Sequence, residues 1–158
     1  MAAPIGRPIL WYNLNMIKII AGGKKNTEAY EELISEYEKR LRKPYALEWR
    51  FMPEEKLDAY LAEWPFQNNE LVICCDERGK NISSDEFSAY LSKAFLDARE
   101  VIILIGGAYG LSDEVRQRAD LVLSFSKLVF PHRLARVMMV EQIYRAQEIA
   151  KGSGYHHA

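Results

Sequence analysis

The sequence predicts an α/β domain built on a mainly parallel sheet flanked by helices. Three observations lead there. From Met16 onward, short apolar runs alternate with segments of helical period. Two of the runs, Glu70 to Asp76 and Val101 to Ile105, are apolar almost throughout, as strands covered on both faces must be. The 158 residues, 49% hydrophobic and 27% charged, suffice for one well-buried core and are too few for two ordinary domains.

The elements follow in order. Met16-Ile17-Lys18-Ile19-Ile20 starts the first strand. Residues 1–15, with Pro4, Gly6 and Pro8, read as an extension ahead of a single domain spanning 16–158; they lack the charged start and apolar centre of an export signal. After Gly22-Gly23, Asn26 or Thr27 can cap a helix with the stripe Tyr30, Leu33, Ile34, Tyr37 and Leu41, ended by Pro44. Leu47-Glu48-Trp49-Arg50-Phe51 alternates with period two, the mark of an edge or half-exposed strand. Pro53 suits the start of a helix that presents Leu57, Tyr60, Leu61 and Trp64 on one face. Ser83 and Glu86 have capping-box spacing ahead of the stripe Phe87, Tyr90, Leu91, Ala94 and Phe95. Ser112 can cap a short helix to Ala119, and Leu121 to Phe125 is the last strand. A long helix follows His132. Its Val137, Met138, Met139, Val140, Ile143 and Tyr144 cover more than one stripe, so it either buries a second face against a partner subunit or is buried all round in its own domain.

Composition narrows the function classes. No apolar run approaches the ~20 residues that cross a bilayer. Cys74 and Cys75 are adjacent and cannot staple distant parts of the chain, which fits a reduced, cytosolic thiol pair. A net charge of −1 is not that of a general nucleic-acid binder. Locally the balance differs: between Lys127 and Lys151 the bases Lys127, Arg133, Arg136, Arg145 and Lys151 outnumber Glu141 and Glu148.

Two segments are candidates for chemistry. Gly106-Gly107-Ala108-Tyr109-Gly110 follows directly on the strand ending at Ile105, where α/β proteins bring backbone close to ligands; it is either a ligand loop or only a tight turn. It matches neither the dinucleotide fingerprint nor the P-loop. The second segment runs from Ser124 to Arg133 and joins small polar residues, an apolar patch, Pro131 and His132 between a strand and a helix. Apolar side chains with backbone polar groups suit a flat heterocycle, and an ordinary strand-to-helix connection is the alternative. His132, His156 and His157 lack the spacing of familiar zinc sites, so no metal is expected.

The run from Ile105-Gly106-Gly107 through Leu121-Val122-Leu123-Ser124-Phe125-Ser126 and Phe130-Pro131-His132 to Val140-Glu141-Gln142-Ile143-Tyr144-Arg145-Ala146, closed by Tyr155-His156, resembles the ribosomal RNA large subunit methyltransferase H family. The resemblance extends back to Met16 through Ile19-Ile20-Ala21-Gly22-Gly23-Lys24, Tyr37-Glu38-Lys39-Arg40 and Asp76-Glu77-Arg78-Gly79-Lys80. It implies a SPOUT-class fold with a carboxyl-terminal trefoil knot, a homodimer, and cytoplasmic methylation of N3 of a pseudouridine in 23S ribosomal RNA, with S-adenosylmethionine as donor and the ribosome as partner. It also implies cofactor contacts at Cys75, Gly106 and Gly107, and along Ser126, Lys127, Leu128, Val129, Phe130 and Pro131. His132 or His156 is then the candidate for the N3 proton, Arg136 and Tyr155 for orienting the base and its phosphate, and Glu141 for positioning them. Two departures stand out: many members carry leucine where Cys75 stands, and His157 stands where members often carry a basic residue. Two rival functions remain open, a non-catalytic ribosome-binding or assembly factor and methylation of another RNA such as a transfer RNA.

Overall fold

The computed structural model describes residues 15–157; apart from Asn15, the expected amino-terminal extension lies outside the described residues. The elements are β1 (Ile17–Gly22), α1 (Glu28–Glu38), β2 (Leu47–Met52), α2 (Glu54–Glu63), β3 (Glu70–Lys80), α3 (Ser84–Leu96), β4 (Glu100–Ile105), α4 (Asp113–Gln117), β5 (Leu121–Leu123) and α5 (His132–Lys151). The strands form one sheet in the order β2-β1-β4-β3-β5, every neighbouring pair parallel. The expected α/β class and parallel sheet are therefore present.

Alternate strand residues feed two cores. Ile17, Ile19, Ile73 and Ile103 pack under α3 and α5 with Phe87, Leu91, Met139 and Ile143. Ile20, Val72, Ile102 and Leu104 face the other way, under α2 and α4 with Leu57, Leu61, Trp64 and Val115. The inner strands are thus apolar on both faces, and the continuous runs in the sequence have this cause. β2 lies at one edge and is half-buried along its length; its Trp49 and Phe51 stack with ring centroids 5.5 Å apart.

Local signals act as read in some places and are overruled in others. The Ser83–Glu86 capping box is complete, and Ser112 caps α4 through the amide of Val115. α1 ends at Glu38, well before Pro44, and Leu33 is 50% exposed, because only Ile34 of the expected stripe is buried within the helix. β5 is three residues long, while β3 runs on to Lys80 and pairs with Leu123 across a register shift. Gly79 permits that close passage: a Cβ there would lie 2.5 Å from the carbonyl oxygen of Val122. On α5, Val137 and Met138 are half-buried, so no large apolar side chain of that helix is fully exposed. Among the described residues no helix is long and apolar enough to cross a membrane.

Because the strands are parallel, the turns after β1, β2, β4 and β5 meet at one edge of the sheet, the usual place for an α/β site. Gly79→Ala pushes backbone against backbone beside that edge, and such overpacking costs on the order of 1–3 kcal/mol. Chemical denaturation of the variant is expected to show a loss in that range; wild-type stability would mean that β3 and β5 separate without cost.

Candidate active site

At the carboxyl edge a cleft of about 170 Å³ opens between the β4–α4 turn and the segment joining β5 to α5. Its walls include Cys75, Gly106, Gly107 and Tyr109 on one side and Ser126, Leu128, Val129, Phe130 and His132 on the other. Asp76 and Arg78 continue the wall at the end of β3. The enclosed part is smaller than the ~300 Å³ at which small-molecule sites usually begin. It is continuous at Arg78, Tyr109 and Gly110 with an open groove that also contains Glu54, Asp58 and Arg116.

Both walls are braced. α2 presents Glu54 and Asp58 one turn apart: Glu54 Oε1 accepts from the Tyr109 amide at 3.2 Å, and Asp58 Oδ1 accepts from the Ser112 amide at 2.8 Å. Gly107 lies so close to Glu54 that a Cβ would stand 2.2 Å from the carboxyl carbon. Opposite, Asn81 donates to the Ser124 carbonyl at 2.9 Å, Ser124 Oγ donates to the Ser126 carbonyl at 2.7 Å, and the Leu128 amide donates to Ser126 Oγ at 3.0 Å. Burial, and then the nearby Asp76, push the Cys75 thiol up to about 12. It stays protonated and is a wall, not a nucleophile.

His132 opens α5 at the cleft. Burial first, then the charges of Arg136 and Arg133, hold its pKa below the ordinary 6.5, with Glu54 opposing. At neutral pH the ring is uncharged and able to accept a proton. One turn on, Arg136 is 0% exposed and does not line the cleft. It donates to the Gly22 carbonyl at 2.6 Å, the Lys24 carbonyl at 2.9 Å and Asn26 Oδ1 at 2.9 Å, and lies 5.0 Å from the Phe51 ring centre. It clamps the β1–α1 turn against α5.

Glu141, Tyr155 and His156 form a separate cluster around Arg145. Arg145 makes two bonds to Glu141 Oε1, at 2.6 and 3.1 Å, and its Nη1 is 3.1 Å from His156 Nδ1. Its guanidinium lies 4.9 Å from the Tyr155 ring centre, and Tyr155 donates to Glu141 Oε1 at 3.1 Å. Burial, then the bond to Glu141, raise the Tyr155 phenol to about 12, so it remains a donor. The carboxyl-terminal tail is laid down here: Tyr155 and His156 are half-buried, and His156 Nε2 is 3.4 Å from Asp85. Nine residues of helix separate Glu141 from His132, roughly 13 Å along the axis.

The family described as "Predicted SPOUT methyltransferase" matches residues 16–156. A relative named ribosomal RNA large subunit methyltransferase H, from Caldicellulosiruptor bescii, is 40% identical over 153 residues, which are 89% of this chain and 99% of the relative. Its namesakes from Streptococcus mutans and Christiangramia forsetii are 38% and 36% identical over 89% of this chain and 98% of their own. The chain belongs to the ribosomal RNA large subunit methyltransferase H family of SPOUT methyltransferases. The fold is also similar to the SpoU methyltransferase AviRb from Streptomyces viridochromogenes in complex with AdoMet, with a TM-score of 0.50 and 15% identity over 95% of this chain and 64% of that structure.

In this SPOUT methyltransferase the cleft gathers seven of the expected cofactor residues, Cys75, Gly106, Gly107, Ser126, Leu128, Val129 and Phe130; Lys127 and Pro131 belong to the same segment but face solvent. Of the expected catalytic residues only His132 lines it. Asp76, Arg78, Glu54 and Arg145 were missed. Charged residues on exposed helices and strand ends carry no signal of their own, although Arg145 at i+4 from Glu141 is a pairing that spacing alone could have suggested. Among the described residues no group of three or more His, Cys, Asp or Glu is placed to hold a metal.

The brace from α2 is testable. Glu54→Ala removes the acceptor of the Tyr109 amide, whereas Glu54→Gln keeps one. Hydrogen exchange at Tyr109 is expected to accelerate by about tenfold in Glu54→Ala, the equivalent of ~1.4 kcal/mol for one lost bond, and to stay near wild type in Glu54→Gln. Equal exchange in all three proteins would show that Glu54 does not hold the turn.

Proposed function

We propose that the protein methylates N3 of a pseudouridine in 23S ribosomal RNA, on the assembled ribosome, with S-adenosylmethionine as donor. We further propose that it acts in the cytoplasm as a homodimer whose carboxyl-terminal segment forms the trefoil knot that the resemblance implies. The observation that carries this reading is the meeting of the Gly106–Gly107 turn, the Ser126–Phe130 segment and an uncharged His132 in one cleft. Relatives named for ribosomal RNA methylation align along nearly their whole length and support it.

The residues fit such a cofactor. Leu128, Val129 and Phe130 offer apolar surface for an adenine ring beside the backbone groups of Gly106 and Gly107, and Ser126, Lys127 and Pro131 complete that wall. Cys75 supplies van der Waals contact. The carboxylate of Asp76 suits hydroxyl or ammonium groups at the open end. Bound there, the cofactor supplies a methyl group on a positively charged sulfur.

The chain's own task is positional and acid–base. His132 would accept the N3 proton that must be lost when the methyl group is transferred to that nitrogen. Positioning and one base of suitable pKa provide the rate. Arg136 acts through the turn it clamps. Tyr155 and His156, organised by Glu141 and Arg145, are assigned to orienting the target base and its phosphate once the ribosome or a second subunit engages the tail.

Incubation of ribosomes with radiolabelled S-adenosylmethionine, followed by nucleoside mapping, is expected to place label on 3-methylpseudouridine of 23S RNA. Label on transfer RNA alone, or none at all, would favour one of the two rivals. With His132 as the base, activity falls as pH drops through its lowered pKa, so the acidic limb of kcat/KM lies below 6.5. His132→Asn then loses on the order of a hundredfold or more; a limb above 6.5 that survives in the variant would place the base elsewhere. Deleting residues 155–158 is expected to lower turnover by on the order of a hundredfold with cofactor affinity intact, and sedimentation to give twice 18.2 kDa. Full turnover of the truncated protein would remove the tail from the site, and a monomer would remove the dimer.

A further inference from the structure

Most cations away from the carboxyl edge of the sheet are tied down. Lys18 pairs with Glu100, Lys39 and Arg40 with Glu36, Arg50 with Glu48, Lys93 with Asp97 and Arg99 with Asp120. At the cleft itself Arg78 pairs with Asp76, and Arg116 of the adjoining groove pairs with Asp76 and Asp113, but other cations near the His132 end are free of such ties. Among the described residues, the side chains of Lys24, Lys25, Lys127 and Arg133 have neither an ion pair nor a hydrogen bond, and Arg133 Nε is buried with no partner. Lys43, Lys56 and Lys80 are likewise unpaired, but Lys43 precedes β2 at the opposite edge.

These four residues come from three segments that the fold brings together. Lys127 lies between Ser126 and Leu128 of the cleft wall, and Arg133 follows His132. Lys24 and Lys25 sit on the β1–α1 turn, following Gly23; neither lines the cleft itself, and Lys25 borders a separate hollow with Glu31, Glu38, Trp49 and Phe51. Gly23 has φ +98°, and a Cβ placed there would be 3.6 Å from both Arg136 Nη2 and His132 Nε2. The turn therefore touches the residue at the cleft. It is also rigid, because the buried Arg136 holds the carbonyls of Gly22 and Lys24 and the Asn26 side chain together. Burial first, then Arg136 and Arg133 against the opposing Glu54, hold the pKa of His132 down, in keeping with Arg133 lying close to the ring.

We infer that the β1–α1 turn, through Lys24 and Lys25 and together with Lys127 and Arg133, is a preorganised rim that grips RNA phosphates beside the cleft. This rests on the RNA methyltransferase reading. A chain with net charge −1 has no general attraction for polyanions and needs its cations concentrated where the substrate enters. Holding the turn in advance removes the ordering cost at binding. Lysines serve as point charges, and the free edge of the Arg133 guanidinium adds directed donors. Acidic peptides would meet the same charges, but a rim around a methyl-transfer cleft is placed for the molecule being methylated.

The test is binding of the full-length protein to 70S ribosomes and to a labelled 23S RNA stem-loop at increasing potassium chloride. Lys24→Ala/Lys25→Ala is compared with Lys43→Ala/Lys93→Ala, which removes the same charge from the opposite edge. The first variant is expected to bind at least about tenfold more weakly, with the slope of log affinity against log salt reduced by about 1.5 for two lost phosphate contacts. The second should match wild type, and both should retain wild-type affinity for S-adenosylhomocysteine. Unchanged RNA affinity and slope in Lys24→Ala/Lys25→Ala, equal losses in both variants, or no RNA binding by the wild type would overturn the rim. If the wild type transfers no methyl group while the selective loss is seen, the catalytic reading fails and the rim stands.

Discussion

A buried guanidinium is the constraint on which the site depends. Taking Arg136 out of water costs several kcal/mol, and three acceptors on a single turn, Gly22 O, Lys24 O and Asn26 Oδ1, offset that cost at its two terminal nitrogens at 2.6 to 2.9 Å, while Nε is buried without a partner. Burial and the neighbouring Arg133 bring its pKa down to about 10, so it is still charged at neutral pH. Those acceptors precede it by 110 residues or more. The bond set therefore joins the first strand to the last helix at the carboxyl edge of the sheet, beside the cleft, and moving α5 without the turn would strand a charge.

The remaining walls follow from that tie. A Cβ on Gly22 would lie 2.9 Å from the amide nitrogen of Gly107, so the clamped turn also sets the height of the glycine turn after β4. From below, α2 fixes the same turn through Glu54 and Asp58. Across the cleft, β3 passes β5 at Gly79 and carries Asn81 to the Ser124 carbonyl. Each wall is held by backbone groups whose partners come from another element. Such a site suits methyl transfer, where holding the reacting atoms in line supplies much of the rate.

Legibility in the sequence tracks how local each signal is. The buried strands showed in their unbroken apolar runs, β2 in its alternation, and α3 in the Ser83–Glu86 box, because each depends on residues a few positions apart. The α1 stripe predicts a longer helix than the one that forms, because what α1 buries is set by its packing on the distant α5 and not by its own period. β5 is shorter than its apolar run with Phe125 suggests, because Ser124 and Phe125 go on to form the cleft wall. The cleft segments themselves were visible as glycines after a strand and as an unusual strand-to-helix link. The burial of Arg136, the α2 brace and the Arg145 cluster were not visible. An arginine or glutamate on a helix reads as solvated until a distant turn supplies its partner. The resemblance named Glu141, Tyr155 and His156 together, and the structure adds the arginine that binds all three.

The central claim is that the cleft between the Gly106–Gly110 turn and the Ser126–Phe130 segment is where the methyl donor sits, with His132 at its edge. A crystal structure with S-adenosylhomocysteine tests it most directly. The account predicts the adenine against Leu128, Val129 and Phe130, backbone contacts from Gly106 and Gly107, and the sulfur on the side open to His132. Ligand bound instead only in the neighbouring groove of Glu55, Asp58 and Arg116, with these two segments empty, would contradict it.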